Sequence, residues 1–302
     1  MLAALEPLST TPAAYAFVVV LGLIWGSFAN VCIYRWPPSD AHPHGRSVVK
    51  PGSHCFACGK PVRWYDNIPL VSYLWLRGRC RDCKAPFSAR YLLVEAVTGA
   101  LFGVSWWFAI TGAILLDPFA VRLERFVIDA AFCFVMVVVT FIDLDHKLIL
   151  NKLTIPSIVI FYGLGLLLPE RTWSDGLIGI AVGYGIPWLV GEIYFRIRKR
   201  EGLGLGDGML LAVVGALLGW QGVFVSLFGG SVIGAVMGIA VIGLRRREPP
   251  TRDDSADDTA EADDAPSLGA TELPFGPFLA MAALFYLFAE PWIHLHFRFA
   301  PG

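Results

Sequence analysis

The chain has 302 residues, 56% of them hydrophobic and only 16% charged, with a formal net charge of −1. So much apolar side chain cannot be hidden in a soluble globule, which excludes an ordinary soluble domain and makes lipid the solvent for most of the chain. The net charge alone says nothing about partners, and no nucleic-acid partner is expected, but the distribution of the charges is informative.

Reading apolar runs of roughly 20 residues as membrane spans predicts eight, at 12–34, 92–114, 126–142, 153–168, 177–195, 209–218, 223–244 and 278–294. The first run has no basic residue ahead of Arg35, so it reads as a retained helix rather than a cleaved signal. The fourth and sixth are short. The apolar stretch 209–243 is too long for one crossing, and Gly219-Trp220-Gln221-Gly222 supplies a turn within it. With eight spans, the loops 35–90, 143–152, 196–207 and 245–277 carry 20 of the 24 Lys and Arg residues, while Arg122, Arg125, Arg171 and Arg298 fall on the other side. The positive-inside rule then places the first set in the cytoplasm.

Between the first two spans, residues 36–90 form the one stretch long enough for a small cytoplasmic domain, and a chain that short needs a staple. Cys55-Phe56-Ala57-Cys58 and Cys80-Arg81-Asp82-Cys83 offer one. Two C-x2-C knuckles can close a tetrahedral Zn²⁺ site through four thiolates, and the basic neighbours Lys60, Arg79, Arg81 and Lys84 would favour the thiolate form. Disulfides and free thiols are the competing readings, the former disfavoured in a reducing cytoplasm. Four protein ligands leave no open position, so such a metal is structural. No H-E-x-x-H is present to suggest a metalloprotease. Cys32 and Cys133 lie inside spans and read as apolar packing residues. Residues 245–272, rich in Asp, Ala, Ser and Pro, read as a disordered acidic cytoplasmic loop.

Two carboxylates remain. Asp143 ends the third span in Ile142-Asp143-Leu144-Asp145, and Asp207 lies in Gly204-Leu205-Gly206-Asp207-Gly208 at the head of the sixth. A carboxylate at the middle of a lipid-facing helix costs roughly 2.5–3.5 kcal/mol on insertion scales, so a retained one is a functional candidate. The blander readings are that Asp143 is the first solvated residue after its helix and that Asp207 is an N-cap. The eight-span count brings both to the cytoplasmic side. If they face each other, like charges resist double ionisation and one proton is shared. One group can then activate water while the other polarises a carbonyl, as in aspartic proteases. Asp145, two residues on, points elsewhere on a helix.

Taken together, these stretches resemble the type IV prepilin peptidase family over nearly the whole chain. The matching segments are Gly26-Ser27-Phe28-Ala29-Asn30-Val31, Arg35-Trp36-Pro37, both cysteine knuckles, Asn67-Ile68-Pro69-Leu70-Val71-Ser72-Tyr73-Leu74, Arg90-Tyr91, Val94-Glu95, the two aspartate motifs and Pro274-Phe275-Gly276-Pro277. The resemblance implies an all-α polytopic membrane protein of about eight transmembrane helices in the bacterial inner membrane. A four-cysteine zinc domain at 36–90 would separate the first helix, 1–35, from a seven-helix peptidase core at 91–302. It further implies catalytic Asp143 and Asp207, and zinc ligands Cys55, Cys58, Cys80 and Cys83. The expected activity is cytoplasmic-side cleavage of the basic leader from type IV prepilins and type II secretion pseudopilins. S-adenosylmethionine-dependent N-methylation of the new terminus would follow.

The chain departs from the family pattern in two places. Gly208-Met209-Leu210 replaces the x-K-L that usually follows the second aspartate, and Leu148-Ile149-Leu150-Asn151 stands for L-L-P-[DN]. Asp145 or the acidic loop is one acceptor for a leader's positive charge. Two other readings compete: a peptidase without methyltransferase activity, since no strand precedes the glycines of 202–208 as a G-x-G-x-x-G loop requires, and a zinc-stapled scaffold or transporter.

Overall fold

The computed structural model describes residues 6–111, 117–199, 204–245 and 274–297. Its helices are α1 (Glu6–Ser9), α2 (Pro12–Arg35), α3 (Val71–Trp75), α4 (Arg90–Thr111), α5 (Phe119–His146), α6 (Asn151–Gly165), α7 (Trp173–Arg198), α8 (Leu205–Arg245) and α9 (Gly276–Phe297), with a 3₁₀ turn at Trp64–Asn67. Among the described residues there is no strand, only three isolated β-bridges around the cysteine domain. Six of the helices are long and apolar enough to cross a membrane, so the all-α polytopic architecture is as expected. The acidic loop and Arg298 lie outside the described residues.

Local chemistry explains the first ends. Thr11 caps α2 by accepting from the N–H of Ala14 at 3.3 Å, and Pro12 occupies the first turn, where its missing N–H does no harm. At the other end Pro37 and Pro38 stop the helix. α5 begins earlier than its apolar run suggested, on Pro118. Arg122 and Arg125 are therefore helical residues, not loop charges. Arg125 joins a part-buried ionic cluster, binding Glu170 at 2.5 Å while Arg171 binds Glu290 at 2.5 Å, with buried Asp129 alongside. Arg122 pairs with Glu6. Pairing is what makes buried charge tolerable.

α5 is the central post. Phe132, Cys133, Met136, Val138 and Ile142 along it are at most 1% exposed, in one core with Cys32 of α2 and Leu210, Leu211 and Val214 of α8. The outer helices keep large apolar side chains outward, among them Ile178, Trp188, Phe228 and Val236, a surface suited to lipid. α6 has 15 residues, about 22 Å at 1.5 Å per residue. That is short of a roughly 30 Å hydrocarbon core, and α6 is not among the six helices long and apolar enough to cross a membrane.

α8 is not a single crossing. Gly219 (φ 69°, ψ −174°) breaks the helical geometry, and the neighbours of the two arms reveal a reversal. Gly208 lies beside Tyr184 and Pro187, and Gly215 lies against Gly179, so the first arm runs antiparallel to α7. Gly222 lies beside Tyr286 and Gly234 beside Phe278, so the second arm runs antiparallel to α9. Since α9 starts next to Asp143, whose charge also reaches Asp207 at the head of the first arm, both outer ends of α8 return to one face. The turn expected at 219–222 is present as this sharper break.

Where α7 crosses the first arm, a Cβ on either Gly179 or Gly215 would run into the other's backbone carbonyl. Small residues at such a crossing let two backbones touch without a hydrophobic driving force. Gly215→Val is therefore expected to force α7 off α8 and lower stability by about 2–3 kcal/mol, in the upper range for overpacking. Thermal unfolding in detergent measures this directly, and an unchanged midpoint would contradict the close packing.

Candidate active site and cysteine cluster

α5 runs one turn past the predicted boundary, to His146, and closes on Lys147 in the left-handed conformation (φ 49°). The extra turn corrects the reading of Asp143 as a solvated residue. Asp143 is 5% exposed and faces the bundle. Its Oδ2 accepts the backbone N–H of Gly276, the first residue of α9, at 3.0 Å. Asp145 leaves the helix elsewhere, as expected, and pairs with Arg90 of α4. Arg90 also donates to the Phe141 carbonyl at 2.9 Å, tying α4 to the last turns of α5.

Asp207 is the third residue of α8, inside its first turn, so it is not the N-cap. Its N–H donates to the Gly204 carbonyl at 3.1 Å, and its half-buried carboxylate lies close enough to Asp143 for the two to interact electrostatically. One side chain organises the approach. A Cβ on Gly206 would stand 3.1 Å from Ile149 Cβ, and a Cβ on Gly276 would stand 3.3 Å from Ile149 Cδ1 and 2.6 Å from Asp143 Oδ2. Ile149 thus sits between the first turn of α8, which bears Asp207, and the start of α9, whose Gly276 holds Asp143, with tight contacts at both glycines. Two carboxylates from different helices, one held by a backbone N–H and the other framed by glycine, can share a proton and flank a peptide carbonyl.

Gly276 was legible only as part of Pro274-Phe275-Gly276-Pro277, with no role attached. The ion cluster of Arg125, Asp129, Arg171 and Glu290 was also missed. Its one sequence signal was an acid within the third apolar run.

The four cysteine sulfurs of Cys55, Cys58, Cys80 and Cys83 lie within 4.8 Å of one another. Tetrahedral metal–sulfur bonds of about 2.3 Å place sulfurs ~3.8 Å apart, and Cys55 Sγ is 3.7 Å from Cys83 Sγ. All described cysteines are free, so no disulfide competes. The knuckles repeat one turn. Cys55 donates its N–H to Lys60 O (2.9 Å) while Gly59 N–H donates to Cys55 O (2.9 Å), and Cys80 with Ala85 (2.8 Å) and Lys84 (3.0 Å) does the same. The donor set fits a metal ion.

Two of the basic neighbours are already paired with carboxylates. Arg81 binds Asp66 through both nitrogens it offers, holding that carboxyl below the usual range, and Lys60 reaches Asp82 at 3.5 Å. Instead, the Cys58 and Ala57 N–H groups bring Cys55 down to about 7. Cys83 is drawn down by the Ala85 N–H, but burial and the neighbouring thiols outweigh it and raise it to about 11.

Comparison with known proteins adds independent information. Residues 20–109 match the Bacterial Peptidase A24 N-terminal domain, and residues 130–239 match the Type IV leader peptidase family. A protein of Myxococcus xanthus named prepilin leader peptidase/N-methyltransferase is 32% identical, over 93% of this chain and 92% of its own. Proteins of the same name from Aeromonas hydrophila (35%, over 89% and 88%) and Neisseria gonorrhoeae (35%, over 76% and 83%) are similar to it too. No solved structure matches.

Proposed function

The chain belongs to the type IV leader peptidase family, and on that premise we propose that it removes the leader of type IV prepilins and type II secretion pseudopilins and then N-methylates the new terminus. The single observation that carries the cleavage half is the convergence of Asp143 and Asp207 around Ile149. In this reading the two are the catalytic residues. One carboxylate takes a proton from water, which attacks the scissile carbonyl, while the protonated partner donates to the carbonyl oxygen. Gly276 N–H fixes the Asp143 oxygen that faces it. Met209 stands where the family has lysine, and the proton shared by the pair makes a third titrating group unnecessary.

The dyad lies at the face that continues through Arg90 into the cysteine domain. With 20 of 24 basic residues on that side, the positive-inside rule supports a cytoplasmic active site in the bacterial inner membrane. A prepilin's apolar helix would sit in the bilayer with its basic leader beside this face. Asp145, already paired with Arg90, is a poor acceptor for the leader. In this reading residues 1–35 are the first helix, 36–90 the cysteine domain and 91–302 the peptidase core.

Cys55, Cys58, Cys80 and Cys83 hold a structural zinc, and no step of cleavage passes through it. Cys80→Ser is expected to reduce zinc from about one ion per chain to none and to unfold the domain at lower temperature. Elemental analysis with thermal unfolding checks this, and full zinc content in the variant would exclude the assignment.

S-adenosylmethionine, when bound, supplies an electrophilic methyl group. The whole activity is tested by adding purified protein and S-adenosylmethionine to a bilayer-embedded prepilin and weighing the product. A pilin shortened by its leader and heavier by one methyl group is expected. A cut product without the added methyl would reduce the function to cleavage alone.

A further inference from the structure

A well-formed cavity lies away from the dyad. It lies where the first two long helices meet the cysteine domain, with a volume of about 170 Å³, far above the ~10–15 Å³ that a single water needs. Its floor is the stretch of α2 from Ser27 to Arg35, with Asn30, and one turn of α4, with Glu95, and its roof is the segment from Asp66 to Tyr73. Tyr34, Tyr73 and Tyr91 line the walls. This is an apolar, aromatic site with a few convergent polar groups, the usual composition of a small-molecule pocket.

Its polar groups are built in. Glu95 is 9% exposed, yet its Oε2 accepts the Leu70 N–H at 2.9 Å and the Ser27 hydroxyl also donates to it. Gly26 makes room, since a Cβ there would press into the Glu95 backbone. Leu70 is held at φ 57°, a conformation that leucine rarely adopts. Asn30 donates to the Tyr91 carbonyl at 3.0 Å. Glu95 is bonded by neutral donors, which suits a positively charged group of a ligand, and Arg35 and Arg79, which also line the cavity, complement a carboxylate on the same ligand.

We propose that this cavity binds the nucleoside sulfonium methyl donor, with Glu95 facing its cationic portion and the tyrosines packing on its base. The assignment rests on the methyl-transfer half of the proposed function. S-adenosylmethionine carries a sulfonium and an ammonium charge beside a flat purine, and carboxylate plus aromatic rings complement those features. Position supports it as well. Tyr91 lines the cavity, while its chain neighbour Arg90 grips the end of α5 that bears Asp143 and Asp145. The cavity and the end of α5 are thus joined through consecutive residues of α4.

Equilibrium dialysis of the full chain in lipid nanodiscs against S-adenosylmethionine tests this without any turnover. Wild type and Asp207→Asn are expected to bind alike, and Glu95→Gln and Tyr34→Ala at least tenfold more weakly. Glu95→Gln keeps an acceptor for Leu70, so it preserves the fold if the other variant does not. Equal binding by Glu95→Gln would overturn the cavity assignment and leave methyl transfer standing. A wild type that cuts prepilin but binds no donor would overturn both.

Discussion

Asparagine at position 143 or 207 lowers leader cleavage by about 1,000-fold or more, within the range by which positioned acid–base groups accelerate reactions. The substitution keeps shape and a hydrogen-bond acceptor. The amide oxygen of Asp143→Asn could still receive the Gly276 N–H that Asp143 takes at 3.0 Å, and position 207 is only half-buried at the start of α8. What is lost is the shared proton. An amide can neither accept a proton from water nor leave its partner protonated at need, so both roles fail together. Cleavage of a bilayer-embedded prepilin, followed by gel mobility in variants with wild-type unfolding midpoints, measures the effect. A variant that cuts within tenfold of wild type would remove its residue from the mechanism.

Gly276→Ala is expected to reduce cleavage by about 100-fold, the scale on which misplacement of about 1 Å acts. The new Cβ would stand 2.6 Å from Asp143 Oδ2 and 3.3 Å from Ile149 Cδ1. Either the carboxylate turns away or the start of α9 retreats, and both break the bond from the Gly276 N–H. The loss should fall on kcat with KM little changed, because the new methyl acts on the carboxylate of Asp143. Gly163→Ala in α6 is the matched control, since a Cβ there meets nothing within 4 Å. If both alanine variants cleave equally well, Gly276 does not position Asp143.

Features of one local stretch were legible in the sequence. The apolar runs foretold α2, α4, α5 and α9, and glycines around Trp220 foretold the reversal at Gly219. Cysteine spacing foretold the four-sulfur cluster, because a C-x2-C turn determines its own geometry. Features made between segments were not legible. The extra turn that buries Asp143 ends on Lys147 in a left-handed conformation, which no glycine announces. Arg122 and Arg125 read as loop charges although α5 contains them, and nothing local shows that Glu6, Glu170 and Glu290 arrive to pair with Arg122, Arg125 and Arg171. The role of Ile149 depends on Gly206 and Gly276 meeting it from different helices. The cavity beside Glu95 is likewise assembled from residues of two helices and a loop.

The most direct test of the account is leader cleavage by the double variant Asp143→Asn/Asp207→Asn beside the two single variants. Residues that share one proton act as a unit, and removing both costs little more than removing either. Equal residual rates are expected in all three. A double variant slower than each single by a further factor of about 1,000, the full effect of one acid–base group again, would mean two independent groups, and the shared-proton pair would be wrong.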